Sequence, residues 1–393
     1  MERHGHRDTW VLAPMVDQSD LPFRKLVRKY GCTLCFTPMI HAKMLLTHAV
    51  YRRKFLIRDD PTDRPLIAQL CGNDAETLIA AARLLEPFCD AIDLNCGCPQ
   101  MIARRGNYGA FLLESPDSLV ETVKQLVQGV NIPVCVKVRL VPTSDSSCET
   151  PQTDWDASID LYRRLVREAG IAMLTVHGRT RHHKGPTIGK ADWDAVRRVV
   201  EELGSEVPIL SNGSIDSLEQ AQECRQVTGV DGIMSSEAIL EYPALFAGVE
   251  RKSRVQLAYE YLQLAKEYPP ELGGQGSGTK CMRAHIHRFL DGDFEGNNHF
   301  RQALIAAKGR EDLWDIVDQV AAIQKENGHD VASEKLSWYM RYRNGQFDGL
   351  SDRHKAERLG STKSRLPDSD DEEEDVEGCA QCVFDTNNDN GDY

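Results

Sequence analysis

No stretch of about 20 apolar residues occurs in the 393-residue chain, so a bilayer-crossing helix is excluded. No Gly-x-Gly-x-x-Gly follows the first apolar run, which sets aside the fold built around a dinucleotide-binding βαβ unit. The polar Met1–Asp8 runs directly into the apolar Thr9-Trp-Val-Leu-Ala13 and leaves no room for a secretory h-region, so the cytoplasm is the expected location, with the nucleus as a second compartment. Basic side chains are missing from residues 366–393, which hold eleven acidic ones; without them the net charge of −13 becomes −2. Paired sets of metal ligands are lacking too: Cys379-Ala-Gln-Cys382 has no second pair nearby, and no metal is expected. Cysteine is plentiful, but Cys32, Cys35, Cys71, Cys89 and Cys135 sit inside apolar stretches where a free thiol packs as a small hydrophobe, so disulfides are not expected.

What the chain does contain is alternation. Eight β-branched or apolar runs recur at 9–15, 32–40, 65–72, 91–97, 134–140, 173–179, 208–213 and 232–237, each a strand candidate. Segments of helical period separate them. Phe23, Leu26, Val27 and Tyr30 end at Gly31; Trp193, Val196, Val200 and Leu203 end at Gly204; and Ser115 with Pro116 starts a helix carrying Leu119, Val123 and Leu126. Eight β/α units predict a closed (β/α)8 TIM barrel, an α/β fold. The polar stretch 141–158 is longer than a usual barrel loop and is expected as a surface insertion. After Tyr242-Pro243 the pattern turns wholly helical, through Val255, Leu257, Tyr261, Leu262 and Leu264, then Met282, Ile286, Phe289 and Leu290, then Leu304, Leu313, Ile316 and Val320. That predicts a smaller C-terminal helical bundle, with Gly273–Gly278 as a flexible connector inside it. From Pro367 the acidic, low-complexity chain predicts a disordered tail.

The active site of such a barrel lies at the C-terminal ends of its strands, and the polar residues gather there. Pro14, Met15 and Val16 end the first strand, Gln69 the third, Asn95 to Pro99 the fourth, and Lys137 and Arg139 the fifth. His177 to Thr180 end the sixth, Asn212, Gly213 and Ser214 the seventh, and Ser235, Ser236 and Glu237 the eighth. Ala13-Pro-Met-Val-Asp-Gln-Ser-Asp20 with Phe23-Arg24, Gln69-Leu-Cys-Gly72, Asp93-Leu-Asn-Cys-Gly-Cys-Pro99, Val136-Lys-Val-Arg139, Val176-His-Gly-Arg-Thr180, Asn212-Gly213 and Asp231-Gly-Ile-Met234 together resemble the ordered motif set of tRNA-dihydrouridine synthases. The likeness covers 9–250 and extends more weakly to about 345. Ile102-Ala-Arg-Arg-Gly-Asn-Tyr-Gly-Ala-Phe111, following Asn-Cys-Gly-Cys-Pro-Gln, looks most like the eukaryotic branch that reduces uridines 16 and 17 of the D-loop.

The resemblance implies an oxidoreductase using FMN, with NADPH or NADH as electron donor and tRNA as substrate. It implies that Cys98 donates a proton to C5 of uracil while reduced FMN delivers hydride to C6; an ordinary thiol is mostly protonated at neutral pH and can serve. Cys96, inside the apolar run, is expected to be structural. Lys137, on an otherwise apolar strand, needs an anionic neighbour, and the resemblance places its ammonium beside the isoalloxazine. His177 is implied at the flavin or its phosphate, and Arg139 is grouped with these cofactor residues. Gln69 and Asn95 can donate and accept together, as a pyrimidine-like edge requires, and Pro14, Met15 and Val16 offer backbone groups to the same ring. Backbone N–H groups of Asn212, Gly213, Ser214, Ser236 and Glu237 are expected to cradle the phosphate. Many family members carry Asn-Gly-Asp and a Gly-Arg pair at these places; Ser214 and Ser236-Glu237 depart from that, and Arg179 is the substitute positive charge.

RNA contact is expected at Arg104, Arg105 and Arg179, and at Lys335, Arg341 and Arg343 in a segment, 335–365, that holds eight basic and three acidic residues beside Trp338, Tyr339 and Tyr342. The expected organisation is a catalytic FMN-binding barrel over 1–250, a helical tRNA-binding domain over 251–345, a basic linker over 346–366 and the acidic tail over 367–393. No obligate protein partner is implied. Two other readings stay open from the residues themselves: an FMN-dependent reductase or dehydrogenase of a free pyrimidine, and a non-catalytic RNA-binding barrel.

Overall fold

The computed structural model describes residues 9–56, 60–143, 152–183, 188–248, 252–270, 278–294 and 298–326. Its strands are β1 (Thr9–Leu12), β2 (Leu34–Phe36), β3 (Ile40–His41), β4 (Leu66–Cys71), β5 (Ala91–Cys96), β6 (Val134–Leu140), β7 (Met173–Thr180), β8 (Ile209–Asn212) and β9 (Gly232–Ser235). All pair in parallel. Because β1 pairs with both β2 and β9, and β2 also pairs with β4, the sheet closes on itself as an eight-staved TIM barrel.

The expected second strand, 32–40, is broken into β2 and β3 around Thr37-Pro38-Met39. Pro38 has no N–H to give a ladder, and β3 resumes the pairing with β4 at Ile40 and His41. The expected insertion is also shorter than 141–158: Pro142 bridges Thr153, and a helix begins at Trp155, capped by Asp154. Residues 144–151 lie outside the described residues.

Strand period two decides what each residue faces. On β6, Val134, Val136, Val138 and Leu140 join the cluster shared with the surrounding helices, whereas Cys135 joins a separate cluster inside the barrel with Val11, Ala13, Phe36, Ile67, Ala91, Leu210 and Met234. That apolar plug fills the barrel, so polar side chains at later inward positions are held at its mouth.

The helices that bear on the site are α1 (Leu21–Lys29), α2 (Met101–Arg105), α3 (Pro116–Gly129), α4 (Trp193–Leu203), α5 (Glu237–Glu241), and the C-terminal set α6 (Arg254–Glu267), α7 (Thr279–Phe294), α8 (Asn298–Ala306) and α9 (Arg310–Glu326). Ser115 stands at the start of α3 as expected, but its side chain makes no capping bond. The C-terminal helices bury Val255, Leu257, Tyr261, Leu262, Met282, Ile286, Phe289, Leu290, Leu304, Leu313, Ile316 and Val320, the apolar positions of their sequence pattern except Leu264, which is half-buried. They pack on α1: Phe23 stacks on His285 with ring centroids 4.4 Å apart, and Tyr30 donates its hydroxyl to Glu260 at 2.9 Å. Part of the Gly273–Gly278 connector and everything from residue 327 onward, including the basic segment and the acidic tail, fall outside the described residues. No described helix is long and apolar enough to cross a membrane.

Candidate functional site

Gln69, Asp93 and Asn95 point into the barrel above the apolar plug and form one hydrogen-bonded chain. Gln69 Nε2 donates to Asp93 Oδ2 at 2.8 Å, and Asn95 Nδ2 donates to Gln69 Oε1 at 2.8 Å. Asn95 Oδ1 in turn accepts from the backbone N–H of Gly97 at 3.1 Å and of Cys98 at 2.9 Å. Asn95 therefore shapes the turn that lifts Cys98 out of the strand. Two residues earlier Cys96 is fully buried against the helices, a structural thiol, while Cys98 is partly exposed at the mouth. Burial pushes the Cys98 thiol up, against the pull of a backbone hydrogen bond at Gln100 and of the charges of Arg139 and Lys137, so the proton stays on sulfur at neutral pH.

Lys137 lies in register with Asn95 across β5 and β6, which puts its ammonium at the same end of the barrel as Cys98. It is 9% exposed, and no ion pair to it is found among the described residues. Burial, reinforced by Arg139, pushes it down to about 8 in spite of Asp93. Asp93, missed as a site residue in the sequence, is fully buried; burial pushes its carboxyl up to about 7 against the Gln69 hydrogen bond and the Lys137 charge. Asp93 Oδ1 and Thr175 Oγ1 are both buried without a hydrogen-bond partner among the described residues. The signal for both was strand period: Asp93 stands two residues before Asn95, and Thr175 lies in register with Lys137.

Arg139 is a strap. Its Nε donates to Gly97 O at 2.8 Å and its Nη1 to Thr180 O at 2.9 Å, tying the Cys98 turn to β7. Beyond it a pocket is lined by Arg139, His177, Arg179, Gly213, Ser214, Ser235, Ser236 and Glu237 among others. Gly213 and Ser214 both have left-handed backbones, with φ of 109° and 57°. A Cβ on Gly213 would lie 2.9 Å from Ala191 Cβ and 3.0 Å from the His177 ring, so the loop can pass here only as glycine.

The sequence grouped Arg179 with Arg104 and Arg105, and the structure separates them. Arg104 and Arg105 are exposed on α2, directly after the Cys98 turn. Arg179 is 3% exposed, donates to Gly189 O at 2.7 Å and Ser214 Oγ at 3.0 Å, and lies 3.0 Å from His177 Nε2. A guanidinium so enclosed cannot meet an RNA backbone at the surface; it supplies the positive charge of the pocket. Asn212 gives its amide to Met234 O at 3.0 Å and so links β8 to β9. Pro14, Met15 and Val16 are half-buried beside this pocket, where Ala13 N donates to Ser235 O at 3.0 Å. Lys335, Arg341 and Arg343 lie outside the described residues.

A family model described as "Dihydrouridine synthase (Dus)" matches residues 11–327. A mouse protein named tRNA-dihydrouridine(16/17) synthase [NAD(P)(+)]-like is 41% identical over 300 residues, covering 76% of this chain and 58% of that protein. The corresponding Schizosaccharomyces pombe synthase is 37% identical over 289 residues (71% of this chain, 68% of that one), and the Saccharomyces cerevisiae one 34% over 359 residues (86% and 81%). The chain thus spans about three fifths of the length of its mouse and rat relatives. With a barrel of this topology and a motif set in this register, the chain belongs to the dihydrouridine synthase family.

Proposed function

We propose that this chain is a tRNA-dihydrouridine synthase that reduces the C5=C6 bond of uridines 16 and 17 in the D-loop, using FMN and NADPH or NADH, with Cys98 as the proton donor. The observation that carries the reading is the Cys98 thiol on a turn fixed by Asn95, at the same mouth as the buried side chain of Lys137. The names of the relatives, tRNA-dihydrouridine(16/17) synthases, support the substrate.

The residues fit FMN on three counts. Lys137 is a buried cation without an ion pair among the described residues, which favours an electron-rich ring with anionic character beside it. Asn95, held in place by fully buried Gln69, keeps the second N–H of its amide for a pyrimidine-like edge at the barrel mouth. The Gly213-Ser214 turn, with Arg139 and Arg179 beside it and the start of α5 at Ser236 and Glu237, makes a concave pocket at the ends of β8 and β9 that carries two guanidinium groups and one carboxyl group. Bound there, FMN would carry reducing equivalents from the nicotinamide to C6 of uracil.

The protein's own work is then placement and proton supply. Asn95 and Arg139 hold the Cys98 turn rigid, and Cys98 gives its proton to C5, leaving a thiolate beside the positive charges of Arg139 and Lys137. The target base must be extruded from tRNA to reach the mouth. Arg104 and Arg105, exposed on the helix after Cys98, neutralise phosphates around it, and the helical unit over 251–345 grips the rest of the tRNA. The cytoplasm, with the nucleus as a second compartment, is where its substrate would be met.

The test mixes anaerobically reduced protein with either an unmodified tRNA transcript or free uracil and follows the return of the oxidised flavin band. tRNA should reoxidise it and uracil should not. Equal reoxidation by uracil would favour the free-pyrimidine reductase, and a protein that cannot be loaded with flavin would favour the non-catalytic barrel.

A further inference from the structure

The loop between β1 and α1 carries Pro14, Met15 and Val16, the backbone expected to face the flavin, and its far end is held by the C-terminal helices. Four described helices begin with Asp at the N-cap. Asp74, Asp154 and Asp192 cap their own helices by accepting from the N–H of Thr77, Ala157 and Ala195. Asp20, at the N-cap of α1, does not. It is fully buried and turns both oxygens to the helical unit: Oδ1 lies 2.8 Å from His285 Nε2 on α7, and Oδ2 accepts from the Tyr261 hydroxyl on α6 at 3.1 Å. A capping bond is forgone for a contact across the chain.

The rest of the loop is under strain that these contacts offset. Asp17 has a left-handed backbone at φ 56°, and its carbonyl accepts from the Cys281 thiol of α7 at 2.7 Å. Asp17 Oδ1, Gln18 Oε1 and His285 Nδ1 are all buried without hydrogen-bond partners among the described residues. Unfavourable backbone and orphaned polar atoms persist only where neighbours over-determine them. On the inner side the loop closes on the site: Ser19 Oγ bonds both the N–H and the carbonyl of Met15 at 3.0 and 3.1 Å. Asp20, Cys281 and His285 also bring three ligand atoms within 4.8 Å of one another. The 2.8 Å between His285 and Asp20 is a hydrogen-bond distance, shorter than the roughly 3.3 Å between neighbouring ligands of a tetrahedral zinc, so the cluster is a pin and not a metal site.

We propose that His285 is a positioning residue for the flavin-facing loop. Through Asp20 the helical unit sets the conformation of Met15–Asp20, so that cofactor retention in the barrel depends on a residue of the helices. This rests on the FMN reading of the site.

The test measures FMN affinity by fluorescence quenching, and amide exchange over residues 13–20 in flavin-free protein, for the full chain and its variants. His285→Ala should weaken FMN binding by about tenfold or more, the effect of losing one buried hydrogen bond to a carboxylate, and should speed exchange in the loop. His285→Gln, whose amide can reach Asp20, should restore both to within about threefold. Leu313→Ala, a buried change on α9 away from the loop, should lower the melting temperature and leave both unchanged. An unaltered FMN affinity and exchange rate in His285→Ala, or equal losses in Leu313→Ala, would overturn the proposal. If His285→Ala does not fold, Tyr261→Phe takes its place, with the same two outcomes. A wild-type chain that binds no FMN would defeat the cofactor reading, while loop exchange would still decide the role of His285.

Discussion

Asp93 shows how much of the site is set by burial acting on single residues. Its carboxyl is pushed from an ordinary 3.8 to about 7, so between those values the folded chain binds a proton that the unfolded chain has lost. Its contribution to stability is therefore present below about pH 4 and is lost as pH rises to about 7. Lys137 runs the other way: its position near 8 against 10.5 means that its charging opposes folding, a cost relieved as pH climbs from about 8 to 10.5. We expect flavin-free Asp93→Asn to melt above the wild type at pH 7, by about 3 °C or more, and the difference to shrink towards pH 4. Thermal melts across that range check it, and a pH-independent difference would show that Asp93 is not the buried titrating group described. The positions of Cys98, Lys137, His177 and the Gly213 turn at strand ends were legible in the sequence because these residues break an apolar run or end one. Asp93 and Thr175 were not singled out, since their roles depend on register with a neighbouring strand. Arg179 was read both as the charge of the phosphate pocket and as an RNA contact, because a strand end does not tell whether a long side chain turns out to solvent or back into a pocket; it turns into the pocket.

At the scale of elements, the Cys98 turn is shaped by the segment just after α2. Ala110 N donates to Cys98 O at 2.9 Å, and Gly109, at φ 65°, lets the chain pass so close that a Cβ would sit 2.6 Å from that same carbonyl oxygen and 3.0 Å from Cys98 Cβ. Gly109→Ala must move the backbone that aims the thiol, whereas Lys137, His177 and the Gly213 turn belong to other strands. Turnover on tRNA should fall by about tenfold or more, while FMN affinity stays within about twofold. Equal losses in both would mean that the turn supports the cofactor and not the thiol. Strand and helix positions were legible from periodicity because burial on both faces of a parallel strand leaves long β-branched runs. Their ends were less so: Pro38 splits a stave that reads as continuous, and α3 starts at Pro116 without the Ser115 capping bond that the sequence suggests. The end of the 141–158 insertion was missed because the Asp154 N-cap lies inside a polar stretch that resembles loop throughout.

For the whole molecule, closure of the barrel through β1–β9 and β2–β4 brings residues from seven strand ends to one mouth. Eight regular β/α units made that closure legible; how the C-terminal helices dock was not, because Asp20, Tyr261 and His285 are far apart in the chain and each alone reads as a core or capping residue. The docking gives the barrel and the helices one continuous buried cluster. The most direct measurement is the map of dihydrouridine at single-nucleotide resolution in tRNA from cells lacking this protein, complemented with wild type or with Cys98→Ala at matched abundance. D-loop positions 16 and 17 should lose the modification, wild type should restore it and Cys98→Ala should not. An unchanged map without the protein, or full restoration by Cys98→Ala, would contradict the proposed function.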